Sequence, residues 1–219
     1  MRKFWNFDDN GDERILRLEG AIAEESWFGD EITPAAFKSE LTAGTGDITV
    51  WINSPGGCCF SGAEIYTALK DYPGKVTVKI SAVAASAASV IAMAGDEVLM
   101  SPVACMVIHN PMTVAIGDGE EMLRAKDMLD NVKQTIINAY TFKSGLSRDK
   151  LSQMMDAESW IFAQDAIELR LADGMLYDDE RTVLPTNMIF SRQAVTASLL
   201  RKLPRRADDY YNRLNKLKY

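Results

Sequence analysis

Apolar and polar positions along the chain follow two different periods. Short apolar runs rich in β-branched residues predict strands, and segments with apolar residues three and four positions apart predict helices. The predicted strands are 14–22, 47–53, 75–82, 97–100 and 104–108; the predicted helices are 34–41, 61–71, 86–94, 119–143, 147–155 and 163–169. This alternation predicts an α/β fold with right-handed βαβ units on a largely parallel sheet.

Charge divides the chain into two parts. Its 219 residues carry a net charge of -7, but Ser191 to Tyr219 hold eight basic and two acidic residues, a net of +6. The remaining residues hold 16 basic and 29 acidic side chains, a net of -13. We therefore predict one domain over residues 1–180 and a basic C-terminal extension over 181–219. Because eight basic residues on a tail are a common solvated feature, we do not expect nucleic acid as a partner.

Cysteine and histidine usage limits the chemistry. Three cysteines, Cys58, Cys59 and Cys105, show neither a disulfide framework nor zinc spacing, which indicates a cytoplasmic protein with no metal. The longest weakly polar run, 82–95, is shorter than the ~20 residues of a membrane span, so no membrane association is predicted. His109 is the single histidine, and any mechanism that needs an imidazole must use it.

Two small-residue segments are candidates for chemistry. Gly56 and Gly57 follow a predicted strand, where paired glycines turn backbone N–H groups toward an anion or simply form a tight turn. Ser86 lies where a strand passes into a helix, close to the positive end of the helix dipole. Taken alone, Ser86 is either a nucleophile or the N-cap of that helix.

Three polar residues complete the candidate set. His109 ends an apolar strand, and the ends of strands are where α/β proteins commonly carry catalytic groups. Asp156 and Glu158 stand just before Trp160, where a carboxylate either orients a histidine through Nδ1 or caps a following helix. Each residue considered singly also has a purely structural explanation.

Taken together, these segments form an ordered set of motifs. INSPGG occupies 52–57, AAS 84–86, MVIHNP 106–111 and ESW 158–160, followed by DA at 165–166 and LAD at 171–173. With them the chain resembles the Clp protease proteolytic subunit family (ClpP, peptidase S14) over about residues 14–178. Segments 3–7 and 24–30 and the tail from 187 are similar to the Clp-like head maturation (prohead) proteases of bacteriophages and prophages.

The resemblance implies a fold and a set of site residues. The fold would be the ClpP/crotonase fold, a repeated ββα spiral head with the helix 119–143 as a long handle. The implied nucleophile is Ser86 and the general base His109. Glu158 aligns with the acid of the triad, and Asp156 is the alternative acid. The implied oxyanion-hole amides belong to Gly57 and Ala87, and no cofactor or metal is implied.

Function and assembly follow as expectations. We expect a serine endopeptidase that cleaves capsid and scaffold precursors in an assembling prohead, within the host cytoplasm. Homo-oligomers of stacked seven-membered rings are implied, with the strand-like stretch 113–116 pairing between rings. The alternatives are a degradative subunit working with a Clp ATPase, a crotonase-like acyl-CoA enzyme, and an inactive structural ring.

Overall fold

The computed structural model describes residues 4–9, 14–22 and 34–177. The predicted boundary at 180 and the basic extension 181–219 lie outside the described residues, as does segment 24–30. None of the helices described is long and apolar enough to cross a membrane.

The order of elements confirms the predicted alternation of strands and helices. The strands are β1 Trp5–Asp9, β2 Arg14–Glu19, β3 Ile48–Ser54, β4 Val76–Ala85, β5 Glu97–Met100, β6 Cys105–Ile108, β7 Ser159–Phe162 and β8 Gly174–Met175. The helices are α1 Pro34–Thr42, α2 Cys59–Lys70, α3 Ala87–Ala92, α4 Gly119–Ser144, α5 Arg148–Asp156 and α6 Ala163–Glu168. Strands β1, β7 and β8 have no counterpart in the sequence-based prediction.

All the described strands join one largely parallel sheet. Its main order is β1-β2-β3-β4-β5-β8, and β6 pairs with both β4 and β7. Only the pairs β1–β2 and β6–β7 are antiparallel within the described chain. The core of the sheet is built by apolar side chains in matched register on neighbouring strands, namely Leu16, Val50, Val78 and Val98, all fully buried.

Strand β4 changes its pairing partner halfway along its length. Residues 77–80 pair with β5, whereas residues 83–85 pair with β6. On its other edge, the register with β3 shifts between the pairs Ile52–Ile80 and Ser54–Ala84, so that β4 carries two extra residues there. The second half of β4 therefore leads out of the main sheet order and ends beside β6.

Helix α4 is the long helix that the periodicity predicts, and most of it stands clear of the core. It begins at the N-cap Asp118, whose side chain accepts a hydrogen bond from Glu121 N, and it ends at Gly145 in the left-handed conformation. Its first buried residue is Ile137. The apolar spacing of its first turns therefore does not reflect packing within this chain.

The strand-like stretch 113–116 is not a strand in the described chain. It runs as irregular backbone, with Val114 89% and Ile116 93% exposed. A β-strand needs a hydrogen-bonded neighbour, and no described segment pairs with this one. The expected pairing between rings therefore remains a prediction.

A buried guanidinium ties helix α1 to the sheet. Arg14, at the start of β2, is only 7% exposed. Its Nη1 donates to Leu41 O at 2.6 Å and to Tyr72 Oη at 2.9 Å, and its Nη2 donates to Glu40 O at 2.6 Å. The carbonyl groups at the end of α1 thus find their donors on a neighbouring strand.

We predict that Arg14→Met lowers the free energy of unfolding by about 2–4 kcal/mol, because several buried acceptors lose their donor together. Urea denaturation at fixed protein concentration measures the loss. Arg17→Met is the matched control on the same strand, since the Arg17 side chain is 42% exposed and its ion pair to Asp8 spans 3.7 Å. That variant should change stability by less than about 0.5 kcal/mol; an equal loss in both variants would contradict the assigned role of Arg14.

Candidate active site

Ser86 lies in a backbone turn that serine rarely adopts. It follows β4 directly, with φ 55° and ψ -127°, and its N–H donates to Val107 O at 2.9 Å. A positive φ costs a residue with a Cβ roughly 1–2 kcal/mol, so the surrounding contacts must hold this turn in place. Ser86 occupies the N-cap position of α3, yet its side chain makes no capping hydrogen bond. The N-cap alternative does not account for this residue.

Gly56 and Gly57 lie against this turn. A Cβ on Gly56 would come within 2.4 Å of Ala85 O and 2.7 Å of Ser86 Cβ, so no other residue fits. Gly57 forms an isolated parallel bridge with Ile22, in which Ile22 N donates to Gly56 O and Cys58 N to Ile22 O, both at 2.9 Å. In such a bridge the N–H of Gly57 itself faces away from Ile22.

Two backbone amides near Ser86 are unused. The N–H groups of Gly57 and Ala87 have no hydrogen-bond partner among the described residues. A Cβ on Gly56 would lie 3.0 Å from Ala87 N, which shows how closely the glycine turn approaches the start of α3. Two free donors on adjoining turns are what an oxyanion site requires.

His109 emerges at the same edge of the sheet as Ser86. Strands β4 and β6 run parallel, with Ala85 opposite Val107, so Ser86 and His109 each follow the end of a neighbouring strand. The imidazole is half-buried and forms no hydrogen bond with the part of the chain that the structure describes. Strand pairing therefore brings the two predicted residues together, while a hydrogen bond between them is not formed.

The two candidate carboxylates have different surroundings. Strands β6 and β7 are antiparallel, and their last pair is Ile108 with Ser159, so His109 and Glu158 are the two residues that directly adjoin the end of this ladder. The φ of Glu158 is 49°, and its Oε1 accepts from Trp160 Nε1 at 3.4 Å. Neither carboxylate caps α6, because strand β7 intervenes.

Asp156 ends helix α5 and is bound from two sides. Its Oδ1 accepts hydrogen bonds from Lys133 Nζ at 2.7 Å and from Asn110 Nδ2 at 2.9 Å. These two donors, Lys133 first, lower the pKa of Asp156 below its usual value. Asp156 is thus hydrogen-bonded to Asn110, the residue after His109. Glu158, in contrast, directly precedes the strand pair that ends just before His109. The sequence motifs do not predict that Lys133 and Asn110 bind the carboxylate of Asp156.

Two of the three cysteines, Cys59 and Cys105, are not suited to act as nucleophiles. Burial, with a smaller contribution from Cys58, raises the pKa of the Cys59 thiol, and burial raises that of Cys105 to about 11. Both are therefore protonated at neutral pH, and the thiolate is the reactive form of cysteine. Within the described residues, no group of His, Cys, Asp and Glu side chains could hold a metal ion.

A comparison with family models decides the classification. The model described as Clp protease matches residues 9–179, which is well over half of the chain. The chain belongs to the Clp protease family. The α/β ClpP fold expected from the sequence motifs is thereby confirmed, and the protein is a serine endopeptidase.

Curated relatives agree with this assignment. The ATP-dependent Clp protease proteolytic subunit 1 of Chlamydia muridarum is 31% identical over 171 residues, covering 76% of this chain and 88% of that protein. The corresponding subunit of Bacteroides fragilis is 32% identical over 132 residues, covering 59% and 64%. Subunit 1 of Protochlamydia amoebophila is 27% identical over 170 residues, covering 75% and 81%. This Clp protease is therefore related to proteolytic subunits over most of its length.

Proposed function

We propose that this Clp-type protease cleaves peptide bonds with Ser86 as nucleophile, His109 as general base and Glu158 as the acid of the triad. The observation that carries the proposal is the positive-φ turn at Ser86, flanked by the unused amides of Gly57 and Ala87. A turn of this kind exposes a hydroxyl beside two donors and gives little benefit to folding.

The reaction follows from these groups. His109 accepts the Ser86 hydroxyl proton as Oγ forms a bond to the scissile carbonyl carbon, and the oxyanion accepts hydrogen bonds from Gly57 and Ala87. The imidazolium then donates its proton to the leaving amine as the C–N bond breaks. A water molecule, deprotonated by His109, hydrolyses the acyl-enzyme. Glu158 accepts a hydrogen bond from Nδ1 of His109 and stabilises the imidazolium.

The histidine must come closer to Ser86 for this chemistry. In the single chain the two are not hydrogen-bonded, and catalytic contacts commonly tighten when substrate binds. The backbone from Met112 to Ile116 follows His109 and exposes three apolar side chains, including Val114. We propose that further copies of the chain cover this stretch and the first half of α4, in the stacked seven-membered rings implied by the family.

For the biological role we propose head maturation in a phage or prophage. The support is the resemblance of the segments at 3–7 and 24–30 and of the tail from 187 to that group. The basic charge of residues 191–219 suits an arm that contacts acidic scaffold or capsid protein. The second candidate is a degradative subunit with a Clp ATPase partner, which the names of the curated relatives favour.

Ser86→Ala should abolish peptide hydrolysis and covalent labelling by a fluorophosphonate, because the alanine has no attacking oxygen. Mass spectrometry of the wild-type adduct should locate the label on Ser86. Size-exclusion chromatography should show the same assembly for both proteins, since the side chain is small and makes no hydrogen bond. Peptide hydrolysis by the purified variant would contradict the assignment, and a crotonase-like enzyme would give no label at all.

Glu158→Gln should lower kcat far more than Asp156→Asn. The neutral amide cannot stabilise the imidazolium, and losses up to about 10⁴-fold are typical of triad acids. Asp156→Asn is the matched control, because it neutralises a carboxylate two residues away, and it should cost less than about tenfold. Steady-state kinetics on a fluorogenic peptide measure both. The reverse order of effects would transfer the role to Asp156.

If the head-maturation proposal is right, co-expression with the capsid precursor of the same phage or prophage should shorten that precursor, and Ser86→Ala should leave it at full length. Intact mass measurement of the precursor gives the result directly. If the precursor stays uncut while the protease degrades an unfolded protein only with a Clp ATPase and ATP, the degradative alternative holds. Precursor cleavage without any ATPase supports head maturation.

A further inference from the structure

The carbonyl group of Ser86 is held by an unusual number of donors. It accepts Ser89 N at 2.9 Å, Val90 N at 3.3 Å and the Ser89 hydroxyl at 2.6 Å. The first two are the ordinary bonds of a short helix, but the third is a side-chain bond of a residue that is completely buried. The bond is too short and too enclosed to be an incidental surface contact.

The hydroxyl of Ser89 is in turn bound by helix α4. Tyr140 is 1% exposed, and its Oη lies 2.7 Å from Ser89 Oγ. A carbonyl oxygen only accepts, so the single hydroxyl proton of Ser89 is committed to Ser86 O, and Tyr140 must donate to Ser89. Burial raises the pKa of Tyr140 above its usual value, which keeps this proton in place. Tyr140 therefore donates to Ser89, and Ser89 donates to the carbonyl oxygen of Ser86.

This series of hydrogen bonds ends at a peptide group that forms part of the candidate oxyanion hole. The Ser86 carbonyl and the Ala87 N–H belong to one planar peptide group, so fixing the carbonyl end fixes the direction of the amide. Hydrogen bonds in series also polarise one another, and a peptide group bound at its oxygen is a stronger donor at its nitrogen. Ser89 is bonded to the oxygen of this peptide and Tyr140 is bonded to Ser89, so neither hydroxyl is bonded to the N–H that would face the oxyanion.

We propose that Ser89 and Tyr140 are positioning residues, which hold and polarise the Ser86–Ala87 peptide so that its N–H faces the oxyanion. This proposal rests on the proposed function of Ser86 and Ala87. It assigns to two buried residues, one of them on the long helix, a role in stabilising the transition state. Their substitution acts on the rate of acylation and not on the binding of substrate.

The test compares Tyr140→Phe, Ser89→Ala and the double variant with wild type, using a fluorogenic peptide and a fluorophosphonate probe. Tyr140→Phe should lower kcat and the phosphonylation rate of Ser86 by about tenfold, less than the 10²–10³ expected for a deleted oxyanion donor, with KM unchanged within about twofold. The double variant should be no slower than Ser89→Ala, because Tyr140 acts through Ser89. If one variant fails to fold, the other removes the same contact.

Tyr72→Phe is the matched control. Tyr72 is also a buried tyrosine, bonded to Arg14 and to Gly46 O, and it lies apart from the site residues. It should lower the thermal midpoint while leaving kcat per folded molecule unchanged. If Tyr140→Phe and Ser89→Ala keep the wild-type kcat and phosphonylation rate while wild type is labelled at Ser86, the positioning role is overturned and the nucleophile stands. Absence of any label on wild-type Ser86 overturns both.

Discussion

The site depends on the pairing of strand β4 with two different partners. Its first half pairs with β5 and its second half with β6, so the chain leaving β4 at Ala85 comes out beside the chain leaving β6 at Ile108. Parallel strands end at the same edge, and for this reason a serine and a histidine 23 positions apart in the sequence become neighbours. The antiparallel strand β7 begins directly after Glu158, the proposed acid. The ends of three strands thus carry the three candidate groups.

The sequence predicted the major elements because their periodicity is strong. Helix α4 was predicted over 119–143 and extends over 119–144, and the strand 97–100 is reproduced at both ends. The missed strands are those whose own sequence carries little signal. Strand β8 is two residues long, and β7 is only the four residues SWIF directly before helix α6, so both are too short for a repeating pattern to show. Conversely, 113–116 has the composition of a strand and lacks a neighbour within the described chain.

For the candidate site, the sequence motifs predicted the serine, the histidine and the glycines. The contacts of the two carboxylates and the partner of Tyr140 could be found only from the structure. The motif alignment on Trp160 placed Glu158 at the position of the acid and left Asp156 as the alternative, and the pairing of β6 with β7 shows that Glu158 directly precedes the last strand pair before His109. The contact between Ser89 and Tyr140 spans 51 positions, and Tyr140 simply continues the apolar face of its helix. Only the folded chain reveals that its hydroxyl has a partner.

Helix α4 is bonded to the candidate site at two places. Lys133 reaches Asp156, which holds Asn110 next to the histidine, and Tyr140 reaches Ser89 beneath the serine. The two residues are seven positions apart, or about 10 Å along one rigid rod. A helix shifts as a unit, so a displacement of α4 would disturb the surroundings of the proposed base and of the proposed nucleophile together. A partner that binds the exposed first turns of α4 would therefore act on the surroundings of both candidate residues through one helix.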